Sequence, residues 1–227
     1  YGEIEQVILK EKPAFQKPII TKVSNIEKIK DIEILLKKKI SNVSQVYWIC
    51  PLVEASETQK YKDVETRFKS LKNIFGSEVE MLHGKIKSDQ KERIIQNFQK
   101  GNIKILVATT VVEVGIDNKN ADYIVIENAE KFGLSQLHQL RGRVGRGNNQ
   151  GYCFALYGKD LPDNTINRLK IFKENLDGFK LSEKDLEIRG TGDILGYRQS
   201  GDSLFKFVNV YHCLLYTSPS PRDPIGS

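Results

Sequence analysis

The densest chemistry in the sequence lies between Gln139 and Gly147, QLRGRVGRG, where three arginines alternate with three glycines. Arginine is a costly core residue and glycine a poor helix former, so this run reads as a turn that meets a ligand. Glycine lets the backbone bend and come close to that ligand, and the planar guanidinium fork matches a pair of phosphate oxygens. A solvated basic turn is the plainer alternative. An arginine–glycine tract of the RNA-binding kind would run longer and lack the apolar pattern that flanks this one. Smaller signals stand nearby: His83-Gly84 after a short apolar run, Thr109 at the end of another, and Gly115 with Asp117 in the loop beyond. Taken singly, each has an ordinary reading: a structural histidine, a strand terminator, a turn or helix cap.

The elements that must hold these residues are legible from hydrophobic period and punctuation. Short apolar runs at Val46–Cys50, Val79–Leu82, Ile103–Ala108, Tyr123–Ile126 and Tyr152–Tyr157 predict strands. Helices are expected at Asn25–Lys39 behind a Ser24 cap, from about Glu57 to Phe75, at Ser88–Gln99 behind a Ser-Asp cap, and near Ser135–Arg141. Strands alternating with helices make an α/β fold with a parallel sheet, and such sheets carry ligands beyond the carboxyl ends of their strands. Two segments are expected there: Thr109–Asp117 and Gly142–Gly147. Residues 1–23 read as a lead-in linker that ends in a strand, residues 24–160 as the α/β domain, and residues 161–212 as an appended helical hairpin and loop. Trp48 and His138 are expected to pack rather than bind.

Composition narrows the class without choosing a function. A net charge of +6, from 35 basic and 29 acidic residues, is compatible with a phosphate-bearing partner but does not demonstrate one. Cys50, Cys153 and Cys213 are too far apart for a zinc knuckle or a redox pair, and the first two read as small buried hydrophobes. An odd, sparse cysteine set suits the reducing cytoplasm, and neither a membrane-spanning run nor a signal peptide is evident. The chain opens at Tyr1 without a methionine and is expected to be a piece of a longer protein. At the other end, Cys213–Asp223 (CLLYTSPSPRD) is what a transposon-derived sequencing adapter encodes when translated, so residues 213–227 are set aside as a non-native tail. A natural Ser/Pro-rich tail is the alternative.

QLRGRVGRG resembles motif VI of the superfamily-two helicases, Q/H-x-x-G-R-x-G-R. VYWICPLVEASE is similar to their motif IV, MLHGKI to their L-H-G segment and ILVATTVVEVGID to motif V. IVIENAEKFGLSQLHQLRGRVGRG is similar to the RecG branch-migration helicases, and FKENLDGFKLSEKDLEIRGTGDILGYRQSG to the translocation (TRG) motif that RecG shares with Mfd, the transcription-repair coupling translocase. The resemblance covers almost all of residues 1–212, with Gly190-Thr191-Gly192 in place of the usual G-P-G and Asp193 in place of glutamate. It implies a RecA-like parallel sheet flanked by helices, the second motor domain of an ATP-dependent DNA helicase acting on branched or double-stranded DNA. By that resemblance Arg143 and Arg146 are arginine fingers, and Gln139, Gly115 and Asp117 face the nucleotide. Thr109, His83 and Gly84 meet the DNA backbone, while Arg168, Arg189 and Gln199 couple cleft closure to duplex movement.

No G-x-x-x-x-G-K-S/T loop and no D-E-x-H run occur in the sequence, so ATP with Mg²⁺ is expected to be bound mainly by a separate first motor domain, with an upstream wedge domain as a further partner. No metal-ligand set is assigned to this chain, and a monomer without membrane attachment is expected. An Mfd-like translocase piece and a non-enzymatic nucleic-acid-binding module are the alternatives.

Overall fold

The computed structural model describes residues 17–40, 44–52, 61–109 and 118–189, with side chains to residue 185. Six strands form one sheet: β1 (Ile20–Asn25), β2 (Gln45–Cys50), β3 (Val79–Leu82), β4 (Ile105–Thr109), β5 (Ala121–Ile126) and β6 (Tyr152–Tyr157). Their order is β1-β6-β5-β2-β4-β3, and every neighbouring pair is parallel. Parallel strands need a crossover between them, which α1 (Ile29–Lys39), α2 (Lys62–Phe75), α3 (Ser88–Gln99) and α4 (Leu134–Arg141) supply. After β6 come α5 (Asp163–Glu174) and α6 (Gly178–Arg189).

Helices cover both faces of the sheet, so its central strands are buried along their whole length rather than at alternate residues. On one face Val46, Trp48, Cys50, Ile105, Val107 and Val125 pack with Ile32 and Leu36 of α1 and Val64 and Leu71 of α2. On the other, Tyr47, Ile49, Leu106, Ile124 and Ile126 pack with Phe98 of α3, Leu134 and Leu137 of α4, and Leu169 and Phe172 of α5. Trp48 and both described cysteines are buried, as their apolar surroundings predict.

The structure redraws several expected boundaries. The sheet begins at Ile20, because β1 pairs with β6 from Ile20↔Tyr152 to Asn25↔Tyr157. Ser24 therefore lies inside a strand, and it is Asn25 whose side chain caps the short 3-10 turn ahead of α1, accepting from the Glu27 N–H at 2.9 Å. Ser88 is the first residue of α3, and no side chain caps that helix. The α5 helix buries Leu169 and Phe172 in the main core, so it belongs to the body of the α/β domain and not to an appendage. The chain divides into compact units after Ser182; α6 starts in the first unit and continues into the second, of which residues 183–189 are described. Gly115, Asp117, Gln199 and the 213–227 tail lie outside the described residues.

Candidate functional site

The arginine run is the last turn of α4 and the loop that follows it. Successive helical residues are about 100° apart, so side chains two positions apart point to opposite sides and those three apart return to one side. Arg141 is accordingly 2% exposed and Val144 1%, whereas Arg143 is half-buried and Arg146 exposed. The Arg141 guanidinium donates to the backbone carbonyls of Phe172 and Asn175, both at 2.8 Å, and meets His138 Nδ1 at 3.0 Å. It also lies 4.6 Å from the centre of the Phe172 ring. Those carbonyls belong to the carboxyl end of α5, where helical acceptors lack intrahelical donors and the dipole favours a cation. Burial lowers the Arg141 pKa from the ordinary arginine value.

The loop is held closely on its inner side. The Arg143 N–H donates to the Leu140 carbonyl at 3.0 Å, and the Gly145 N–H to the Ala121 carbonyl at 3.1 Å. Gly145 sits at φ +69°, a region side chains disfavour. At Gly147 a Cβ would stand 2.5 Å from the Lys119 carbonyl oxygen, so a larger residue would push the loop off its support. The Arg146 Nε donates to the Gly142 carbonyl at 2.9 Å. Beyond the loop, Asn149 donates to Asp122 Oδ2 at 2.9 Å, an oxygen that also accepts from Ser44 Oγ at 2.7 Å. Backbone conformation, buried side chains and polar ties thus leave Arg143 and Arg146 on the outer side of a fixed turn. Gln139 is exposed on α4 just before it.

Ala121 opens β5, and Lys119 precedes it, so this turn stands at the amino edge of the sheet. The expectation that Gly142–Gly147 lies beyond the carboxyl ends is therefore overturned. The reason is chain direction: α4 carries the chain back from the end of β5, and a parallel strand such as β6 can be entered only from its amino end. The five steps from Ala121 to Ile126, at about 3.3 Å each, put roughly 17 Å of strand between the two edges.

Thr109, His83 and Gly84 occupy the carboxyl edge. Thr109 ends β4 beside Cys50 of β2, is 1% exposed, and its hydroxyl has no hydrogen-bond partner among the described residues. His83 follows β3 and packs against Tyr61 with ring centres 4.8 Å apart and the ring planes tilted by 40°. Its Nδ1 accepts from the Lys85 N–H at 3.3 Å, which assigns the ring proton to Nε2. Burial lowers the His83 pKa; Glu65 opposes that shift, while Lys85 and Lys91 add to it. His83 is therefore neutral at pH 7, a hydrogen-bond donor rather than a cation. Lys91 Nζ donates to the Gly84 carbonyl at 3.1 Å, and Lys85 Nζ lies 5.0 Å from the Tyr61 ring centre, adding positive charge to this loop.

The remaining expected residues lie on the last two helices. Half-buried Arg168 on α5 donates from Nη2 to the carbonyl of Glu130, in the 3-10 turn that leads into α4. Arg189 is the last residue of α6. Two features escaped sequence reasoning. One is the inward role of Arg141. The other is a partly buried network at the end of β5, where Glu127 accepts from Arg67 Nε (2.5 Å), Arg67 Nη2 (3.2 Å) and Trp48 Nε1 (2.5 Å), with Glu33 3.3 Å from Arg67. A carboxylate directly after the apolar run of β5 was the available signal. Among the described residues, no group of three His, Cys, Asp or Glu side chains is placed to hold a metal ion, and no helix is long and apolar enough to cross a membrane.

Comparison with known proteins agrees with this architecture. The family described as "Helicase conserved C-terminal domain" matches residues 24–148. The ATP-dependent DNA helicase RecG of Borreliella burgdorferi is 44% identical over 210 residues, 92% of this chain and 31% of that protein. The structure of RecG bound to a three-way DNA junction superposes with a TM-score of 0.71 at 36% identity, covering 90% of this chain and 26% of that one. Mss116p bound to single-stranded RNA and AMP-PNP, at 20% identity and a TM-score of 0.55 over 79% of this chain and 37% of that one, shares the fold. The chain thus spans about a third of the length of the curated relative it matches. Its six-stranded parallel sheet is the RecA-like sheet of helicase C-terminal domains, and the chain belongs to the helicase conserved C-terminal domain family.

Proposed function

We propose that this chain is the second motor domain of an ATP-dependent DNA helicase of the RecG kind, one that remodels branched DNA and stalled replication forks. The observation that carries the proposal is the arginine turn: pinned from inside by Arg141, Val144, Gly145 and Gly147, it turns Arg143 and Arg146 outward. Two guanidinium groups on a turn held by several contacts suit an anion whose charge develops during reaction, because donors positioned in advance need little reorganisation. ATP with Mg²⁺, held mainly by a first motor domain, supplies the phosphoryl group that is transferred. Arg143 and Arg146 stabilise its charge from across the cleft, and Gln139, Gly115 and Asp117 line the same side. At the other edge the Thr109 hydroxyl, the His83 Nε2–H and the Gly84 backbone contact DNA phosphates, giving binding that is indifferent to sequence. Arg168, Arg189 and Gln199 link closure at the nucleotide edge to movement of the duplex, and an upstream wedge domain separates the strands.

The test is steady-state ATP hydrolysis by the two-motor enzyme. Arg143→Ala and Arg146→Ala should each lower kcat by about 10³-fold, the scale of an arginine finger, with a far smaller change in nucleotide affinity. Lysine at either position should not restore it, since an ammonium lacks the fork. Near-normal turnover in both alanine variants would return the run to a solvated basic turn.

A further inference from the structure

We propose that Arg141 is a positioning residue for the arginine turn: bound to the carboxyl end of α5, it fixes where Arg143 leaves α4. The inference rests on reading Arg143 as the arginine that faces the nucleotide. Arg141 is the last residue of α4, and Gly142 continues in helical conformation at φ −66°, so the orientation of one arginine dictates that of the other two positions on. Three groups meet the Arg141 guanidinium within 3.0 Å, namely the carbonyls of Phe172 and Asn175 and the His138 ring. The same patch is crowded from the far side. A Cβ at Gly178 would stand 2.7 Å from His138 Nε2, so the backbone that opens α6 lies directly against the histidine that Arg141 touches. A side chain with one donor cannot reach both carbonyls, and an apolar one leaves the buried Phe172 carbonyl and the half-buried Asn175 carbonyl without this donor. Either change frees the end of α4 to shift, and Arg143 shifts with it.

A double-substitution cycle in the two-motor enzyme tests this, with kcat and KM for ATP measured during DNA-stimulated hydrolysis. Arg141→Met should lower kcat by about 10- to 100-fold, the scale of a small misplacement of a reacting group. KM for ATP should change by less than about twofold, because the ground-state complex hardly uses the fingers. Arg141→Lys should recover part of the loss. In an Arg143→Ala background, Arg141→Met should cause a much smaller further fall in kcat, since the group through which it chiefly acts is already gone. Losses that multiply in the double variant, or normal turnover in Arg141→Met alone, would overturn the inference. If Arg141→Met does not fold, the cycle is run with Arg141→Lys and judged by the same non-additivity. Normal turnover of Arg143→Ala alone would instead overturn the underlying reading of that residue.

Discussion

Arg141, Arg143 and Arg146 share one short motif but not one environment, because helical geometry sends the first inward and the second outward. The same distinction between a satisfied and an unsatisfied polar group separates two buried residues at the carboxyl edge. The Thr109 hydroxyl has no partner among the described residues, so removing it should leave the fold intact. Thr109→Val should melt at an unchanged or higher temperature while DNA-stimulated hydrolysis by the two-motor enzyme falls; a drop in melting temperature with normal DNA stimulation would assign the hydroxyl to the fold instead. Glu127 is the opposite case. Glu127→Gln removes the charge that pairs with half-buried Arg67 and should lower stability by about 1–3 kcal/mol in denaturant titration. Glu33 has its pKa raised, first by burial, with Arg67 opposing and Glu127 reinforcing. A raised carboxyl pKa means that the folded state holds its proton longer than the unfolded one, so this contribution erodes as pH rises above the ordinary glutamate value of 4.5. Melting temperatures from pH 4 to 7 should therefore decline less steeply in Glu33→Gln than in the parent.

At the scale of elements, α5 is tied to α4 at both ends. Arg168 reaches from α5 to the turn before α4, and Arg141 reaches from the end of α4 to the end of α5. A helix bound in this way moves with its neighbour, which supports giving Arg168 a part in coupling. With the whole enzyme, Arg168→Ala, Arg189→Ala and Gln199→Ala should keep much of the DNA-stimulated ATPase while fork unwinding collapses. Proportional loss of both activities, tracking folded fraction, would reduce these residues to supports of the fold. Apolar runs located β2, β3 and β6 almost to the residue, because buried parallel strands are short apolar runs, and punctuation placed α3 between Ser88 and Gly101. It misplaced the cap before α1, since Ser24 and Asn25 are both good caps and only sheet pairing decides that Ser24 belongs to β1. It also treated α5 as an appendage, because the partners of Leu169 and Phe172 lie on strands and helices far back in the chain.

For the molecule as a whole, the sheet separates two surfaces. Arg143 and Arg146 stand at its amino edge, while Thr109, His83 and Gly84 stand at its carboxyl edge. The motif resemblance names residues on both, but the edge to which the arginine turn belongs required the crossover direction of α4, a property of topology rather than of any local run. The ion pair of Arg67 with Glu127, 60 residues apart, was invisible for the same reason. Because the sequence holds no phosphate-binding Walker loop, the chain on its own should show no DNA-stimulated ATP hydrolysis, measured as phosphate release against a buffer blank. Its affinity for DNA alone should be weak, about 10⁻⁴–10⁻⁶ M, and should fall steeply with salt, as phosphate contacts do. A salt-insensitive, sequence-selective complex seen by fluorescence anisotropy would favour a dedicated binding module over a motor half.

Trp48 is the one tryptophan of the sequence, fully buried on a central strand, with its indole N–H on Glu127 and the Arg67 guanidinium 5.6 Å from its ring. The protein therefore carries a single-site optical gauge. Its emission comes from one indole in one electrostatic setting, so a wavelength shift during denaturation marks the opening of the β2 core, without the averaging that several fluorophores would impose. Loosening confined to the arginine turn, at the opposite end of the strands, would leave that signal dark.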